Sequence, residues 1–461
     1  MENTAKKTGG FDMLSGSIAD KILKFALPLA ATGILQQLFN AADVAVVGRF
    51  VGSGAMAAVG ANGPLTSLII SLFIGLSIGS NVVIAKYTGE RNAKAVNITV
   101  HTSLLVSFLM GVVLAVVFQV LARPILSLMS IPDSVFRMAE LYFRVYMAGM
   151  PVILLYNFAS AIFRGRGNTR TPLICLALSG IMNVGLNVFF VVALHMTVEG
   201  VALATVLSNL ISSILLLVFL SKEEEAIRFR FRSLCIDRKI LRQIVRIGLP
   251  AGFQGVVFSV SNIVLQAAVN KLGETVMAGS SAALNIEIFA YFLLNAFGTA
   301  CTTFISANYG AGKPDRCRKI LVISLIQDLI CTVVMAAVLL LFARQLLSIF
   351  NGEPAVIAIG VTRMKIILAF EAVNVLIEIF SGWMRGFGIS FLPSMVCMIG
   401  ICGVRITYAY TVFAHNPTFD TLMVAYPLSW AVTAAVMVIM AVVVRRKSLA
   451  GFFAKHEEAD A

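Results

Sequence analysis

Apolar stretches of about twenty residues, parted by short polar or turn-forming breaks, run through the chain from end to end. A helix that crosses a bilayer core needs about 20 mainly apolar residues, and twelve segments meet that demand. They cover 25–47, 55–84, 98–121, 141–163, 172–194 and 200–220, then 247–269, 277–305, 320–342, 364–384, 393–414 and 421–444. The breaks carry turn residues or charge: Gly52-Ser53-Gly54, Gly89-Glu90-Arg91, Ile131-Pro132-Asp133, Gly165-Arg166-Gly167, Asn351-Gly352-Glu353-Pro354 and His415-Asn416-Pro417. The pattern predicts an all-α polytopic membrane protein with twelve transmembrane helices and both termini on one side. No apolar h-region of a secretory signal precedes residue 20, so the first span is expected to direct insertion itself.

Composition agrees with that pattern. Of 461 residues, 59% are hydrophobic and 13% charged, whereas a soluble domain carries about 25% charge. The net charge of +13 would suit nucleic acid in a soluble chain. Here its distribution assigns it another role. The N-terminus and even-numbered loops hold Lys6, Lys7, Lys21, Lys24, Lys86, Arg91, Lys94, Arg164, Arg166 and Arg170, then the basic stretch 222–246 with Arg228, Arg230 and Arg232. Lys313, Arg316, Arg318, Lys319, Arg385, Arg445, Arg446 and Lys447 complete that side. The odd-numbered loops hold chiefly Arg49, Arg123, Arg137, Lys271, Arg344 and Arg363. By the positive-inside rule both termini are cytoplasmic, and the basic loops meet anionic lipid headgroups rather than nucleic acid. The seven cysteines lie mostly inside spans without metal-like spacing, as buried apolar residues.

The second half repeats the first. Leu27-Pro28 answers Leu249-Pro250, and Ala85, Tyr87 and Arg91 answer Ala307, Tyr309 and Lys313. Arg164-Gly165 and Gly167 with Pro172 answer Arg385-Gly386 and Gly388 with Pro393. The expected organisation is an N-lobe over 1–221 with spans one to six, a cytoplasmic basic linker over 222–246, and a C-lobe over 247–461 with spans seven to twelve. Six spans per copy make the repeats parallel, related by an axis along the membrane normal. Two such bundles rocking about a central cleft describe a transporter, not an enzyme. No GxxxxGK[ST] phosphate loop is present, so an ion gradient is the expected energy source.

Ionisable groups within spans are costly and point to function. Asp43, Glu287, Asp328, Glu371 and Glu378 are the acidic ones. Asp43, late in span one, reads as a cation or proton site, since a lone carboxylate at that depth needs a counter-ion or a proton. Asn183 and Asn187, four apart, stack on one helix face of span five and could place amide oxygens beside it. Glu371 and Glu378, seven apart, also share a face. Asp328 reads as a packing residue. Spans seven and eight carry Gln254, Ser259, Ser261, Asn262 and Gln266, then Ser280, Ser281, Asn285, Glu287 and Asn295. Faces so polar must meet protein or water, not lipid. Arg164 and Arg385, before Gly-x-Gly breaks, read as helix-end anchors.

In combination these residues resemble the multidrug and toxic compound extrusion (MATE) family over roughly residues 15–445. The resemblance rests on Asp43-x4-Gly48-Arg49-x2-Gly52 with Ala57-Ala58-Val59-Gly60 and Pro64. It also rests on the Arg-Gly-x-Gly-x-x-x-x-Pro after spans four and ten, and on Asn183 followed by Gly200-Val-Ala-Leu-Ala-Thr205. It implies two V-shaped lobes and an antiporter, in a prokaryotic cytoplasmic membrane, that expels lipophilic, mainly cationic organic compounds in exchange for Na+ or H+. No cofactor is expected beyond that coupling ion, and a monomer is expected. The resemblance matches Asp43, Asn183 and Thr205 to the family's N-lobe coupling residues; with Asn187, Glu287, Glu371 and Glu378, read from the residues themselves, they make up the expected coupling set, and Asp43, Asn183 and Asn187 are the expected Na+ ligands. Asn187 departs from the pattern, standing where many prokaryotic relatives carry a second Asp. Asn374 stands where another branch carries one. The substrate cavity is assigned to Gln36, Asn40, Tyr156, Asn157, Gln254, Asn262, Gln266, Asn285 and Asn374. The alternative function is a lipid-linked oligosaccharide flippase of the wider superfamily, which needs a cationic central cavity. Among mid-span residues only Arg405, and Arg144 at an edge, lean that way.

Overall fold

The computed structural model describes residues 10–129 and 131–457, and 87% of it is helical with no strand among the described residues. Lys6 and Lys7 lie outside them. The first half forms α1 (Ile18–Phe50), α2 (Ser53–Gly89), α3 (Ala93–Leu128), α4 (Asp133–Ala148), α5 (Met150–Gly165), α6 (Arg170–Val188, ending in a π turn Phe189–Ala193) and α7 (Val198–Lys222). The second forms α8 (Arg238–Asn270), α9 (Glu274–Gly310), α10 (Pro314–Leu341), α11 (Ala343–Ser348), α12 (Pro354–Gly386), α13 (Phe391–Cys397, followed by a π turn Met398–Gly403), α14 (Val404–Tyr410), α15 (Val412–His415), α16 (Phe419–Lys447) and α17 (Ala450–Glu457).

Ten of these segments are long and apolar enough to cross a membrane, and eleven if α4 and α5 form one span bent by 49°. The 33-residue α12, which carries the buried charge discussed below, makes the twelfth. The bend falls at Gly149, beside Pro151, whose ring removes a backbone donor from the first turn of α5. Its counterpart in the second half has Ala372, within the continuous helix α12. One expectation fails at α12. Arg363 belongs to no outer loop: the helix starts at Pro354, so Arg363 sits inside it, buried.

The turns between spans repeat as the sequence does. Gly52, Arg91 and Gly167 all have positive φ, and so do Gly273, Gly312 and Gly388, each 221 residues later. Each sits between consecutive helices, where the chain reverses and a left-handed residue ends the turn. Local caps then restart the helices. Asn92 Oδ1 accepts from Ala95 N (3.0 Å) at the head of α3, and Asn168 Oδ1 from Thr171 N (3.1 Å) at α6.

Two compact units result. One is built on Ala31–Val245, the other on Asp12–Ala30 together with the chain from Arg246 onward. The N-terminal stretch thus packs in the second unit, where Asn308 Nδ2 donates to Met13 O (3.1 Å), Lys313 Nζ to Leu14 O (2.9 Å) and Gln327 Nε2 to Ala19 O (2.9 Å). Residues 222–245 are held in the first unit in the same manner. Asn97 Nδ2 donates to Glu225 O (3.1 Å), Arg230 N to His101 Nε2 (3.1 Å), and Asp237 N to Thr102 Oγ1 (3.2 Å). The first-unit core gathers Ile84, Val100, Leu104, Phe163 and Leu216, with Val47, Val59, Val191 and Val201 forming a separate cluster nearer Asp43.

In the second unit α9 packs most extensively on α12, and small residues set the spacing. A Cβ at Gly382 would lie 2.5 Å from the carbonyl oxygen of Gly298, which as backbone cannot yield. Gly382→Ala is expected to lower stability by about 1–3 kcal/mol, read as a lower melting temperature in detergent. Gly60→Ala, where a Cβ meets nothing within 4 Å, should leave it unchanged. Equal melting of both variants would contradict this packing.

Candidate functional site

In the first unit three helices bring four predicted residues together. Asp43 comes from α1, Asn183 and Asn187 from one face of α6, and Thr205 from the second turn of α7. Asn187 Nδ2 donates to Asp43 Oδ1 at 2.5 Å and to Asn183 Oδ1 at 3.2 Å. Thr205 Oγ1 donates to Asp43 Oδ2 at 3.1 Å and shares its hydrogen with Val201 O at 3.0 Å. Asp43, Asn183 and Asn187 are buried, and Val47, Val191 and Val201 wall the surroundings with apolar surface. Tyr142 and Tyr146 of α4, stacked at 6.0 Å, are titratable groups within range of the Asp43 charge.

Two features define the chemistry of this cluster. No Lys or Arg forms an ion pair with Asp43 among the described residues, and Arg49 two turns on is exposed. The carboxylate therefore has neutral hydrogen-bond partners and no fixed counter-charge, an unstable arrangement in a low-dielectric interior unless a cation or proton joins it. Secondly, Asn187 Oδ1 is buried with no hydrogen-bond partner. Around the carboxylate, Asn183 Oδ1 and Thr205 Oγ1 are oxygens of the kind that suit a hard cation, while Asn187 turns its Nδ2 toward them.

The predicted acids of the second unit have other surroundings. Glu287 accepts from Arg363 Nε through both oxygens, at 3.1 and 3.2 Å, and Arg363 Nη1 donates to Ser280 Oγ at 3.0 Å. Its charge is thus already balanced. Asn374 Nδ2 donates to Glu371 Oε1 at 3.2 Å. Glu378 is buried against Gly298. Glu287, Glu371 and Glu378 thus differ in their immediate partners. Asp328 accepts from Thr332 at 3.1 Å and leaves its other oxygen buried without a partner. Arg385 is buried, donating to Gln254 Oε1 at 2.7 Å, so it reaches deeper than a surface anchor.

The residues assigned to the cavity divide by exposure. Gln36, Asn40, Asn262 and Asn285 are exposed within their spans. Gln266 is half-buried on Asn270 Oδ1 (2.9 Å), and Asn157 half-buried on Ile153 O (2.9 Å). Tyr156 lies in the first-unit core, while Gln254 and Asn374 are held by Arg385 and Glu371 as described. The residues that sequence reasoning missed are Arg363 and the aromatic pair Tyr426 and Trp430. Pro354, a favoured first residue of a helix, was the signal that would have carried α12 back past Arg363.

Two repeated six-span units with buried carboxylates that form no ion pair among the described residues, Asp43 in one and Asp328 in the other, define a membrane transporter. The family model MatE matches residues 28–189 and again 250–411, and the chain belongs to that family. It is 28% identical over 418 residues to the probable multidrug resistance protein YoeA of Bacillus subtilis, covering 89% of this chain and 90% of that one. It is 26% identical to the probable multidrug resistance protein NorM of Thermotoga maritima, covering 86% of each. The crystal structure of a MATE protein in complex with MaL6 superposes with a TM-score of 0.88 over 96% of this chain and 99% of that one, at 23% identity. That likeness establishes the fold.

Proposed function

We propose that this protein is a secondary active multidrug exporter that exchanges Na+ or H+ for lipophilic, mainly cationic organic compounds. The observation that carries the reading is the Asp43 cluster, a buried carboxylate with oxygen donors around it and no fixed cation. The relatives in Bacillus subtilis and Thermotoga maritima, each named a probable multidrug resistance protein, support the class of cargo.

The cycle follows from the hydrogen bonds. With Asp43 ionised, Asn187 turns its Nδ2 to the carboxylate, as observed. When a proton binds Asp43, the carboxyl becomes a donor and the amide gains by presenting Oδ1 instead; when Na+ binds, the same oxygen serves as a ligand. Either event removes the uncompensated charge and changes the preferred packing of α1 against α6 and α7, which is the bistable element such coupling needs. Gln36 and Asn40 in the first unit, and Asn262 and Asn285 in the second, are exposed amides set in membrane spans, which in each unit suits contact with water rather than lipid. The basic loops set both termini in the cytoplasm of a prokaryotic cell, with the protein working as a monomer.

Everted membrane vesicles test the mechanism. With ethidium as cargo, an imposed Na+ gradient or an imposed pH gradient, applied separately, should drive uptake above that of vesicles lacking the protein. Uptake that follows neither gradient would overturn the antiport reading.

A further inference from the structure

Arg405 belongs to the second unit, in α14 directly behind the π turn Met398–Gly403. Within the span Phe391–His415 it stands about 21 Å from one end and about 15 Å from the other at 1.5 Å per residue. That is mid-depth, beyond the reach of lipid headgroups. Its side chain is 7% exposed. Nε donates to Ser429 Oγ at 3.1 Å, and the guanidinium lies 4.3 Å from the Tyr426 ring centroid and 5.7 Å from that of Trp430. These contacts use one of its five N–H groups, and no carboxylate pairs with it among the described residues. The contrast with Arg363 is direct, because that guanidinium is neutralised by Glu287 and bonded to Ser280. The charged groups acting on Arg405 from α12 are Glu371, whose carboxylate is bonded to Asn374, and Arg363 itself.

A guanidinium buried over nine-tenths of its surface, stacked on an aromatic ring, with its Nη edge unused, is built to receive an oxyanion. The stack on Tyr426 holds the plane, and the free edge offers two parallel donors that match a carboxylate. A π turn next to it is the kind of helix irregularity found at functional sites, since it re-aims the side chains that follow. A single guanidinium with no second free cation beside it among the described residues suits one carboxylate, not a diphosphate. We propose that Arg405, on its Tyr426–Trp430 ledge, is an anion subsite that binds the carboxylate of amphipathic aromatic substrates, zwitterions included. The proposal rests on the exporter reading, to which it adds the residue that reads a carboxylate on the cargo.

Rhodamine B and its ethyl ester share one cationic ring system and differ in a single carboxylate, so the pair isolates the subsite. Fluorescence anisotropy with the purified full chain should show rhodamine B bound about tenfold more tightly than the ester. Arg405→Gln should abolish that preference while leaving the ester's Kd within about twofold, and Arg405→Lys, which keeps the charge but not the fork, should retain a reduced preference. Equal binding of the two dyes by the wild-type protein overturns the proposal, and that comparison decides even where the Gln variant does not fold. A preference that survives Arg405→Gln overturns it as well. Failure of the exporter reading is distinguishable, because it appears as no gradient-driven uptake of the ester into everted vesicles.

Discussion

Asp43→Asn is expected to cut gradient-driven dye efflux at least about tenfold while the protein stays folded. Coupling between two ligands is a free energy of about 1–3 kcal/mol, equivalent to roughly 5–150-fold, and in the first unit Asp43 is the group whose charge changes. Asn at this position keeps a hydrogen-bonding side chain for Asn187 and Thr205, which contact both carboxylate oxygens in the wild type. It removes a buried charge that has no fixed counter-ion, so the melting temperature should hold or rise. Efflux from drug-loaded cells and melting in detergent check the two halves separately. Asp328→Asn is the control: Asp328 is just as buried but bonds only Thr332, so most efflux should survive. Full efflux by Asp43→Asn would remove the cluster from the mechanism.

The second large effect is on stability. Arg363→Met leaves Glu287 buried without its partner, and breaking a buried pair in this way costs about 3–5 kcal/mol. The geometry supports the upper part of that range, because Arg363 also bonds Ser280 and lies 5.4 Å from the Tyr426 ring. Glu287→Gln combined with Arg363→Met removes both charges and should recover most of the loss. Melting curves of the wild type, the single variant and the double variant measure the coupling. If the double variant melts as low as Arg363→Met, the pair is not what holds α9 to α12 at this level.

Much of the first-unit site could be read from the chain because its determinants are local. Asn183 and Asn187 are one helical turn apart, so they had to share a face, and an acid inside an apolar span had to be accounted for. Thr205 was named through the family resemblance, and it does reach Asp43. The second unit was less legible. Glu287, Glu371 and Glu378 looked alike in sequence, yet each has a different companion: an arginine, an amide and a glycine backbone. Arg363 passed for a loop residue because the apolar run begins just after it, whereas the helix begins at Pro354.

By itself, the sequence determined the class, the number of spans, the six-plus-six repeat with its turns, and the candidate acids. Those follow from hydropathy, helical periodicity and turn chemistry, which act over a few residues at a time. Tertiary structure decided which acids are already neutralised, that Asn187 bonds Asp43 through its amide nitrogen, that residues 12–30 pack in the second unit, and that Arg405 keeps a free edge. Each of these depends on which helix faces meet, as with Glu287 and Arg363, 76 residues apart. In a low-dielectric interior a charge's role is set by its nearest partners, and no local pattern names a partner on another helix.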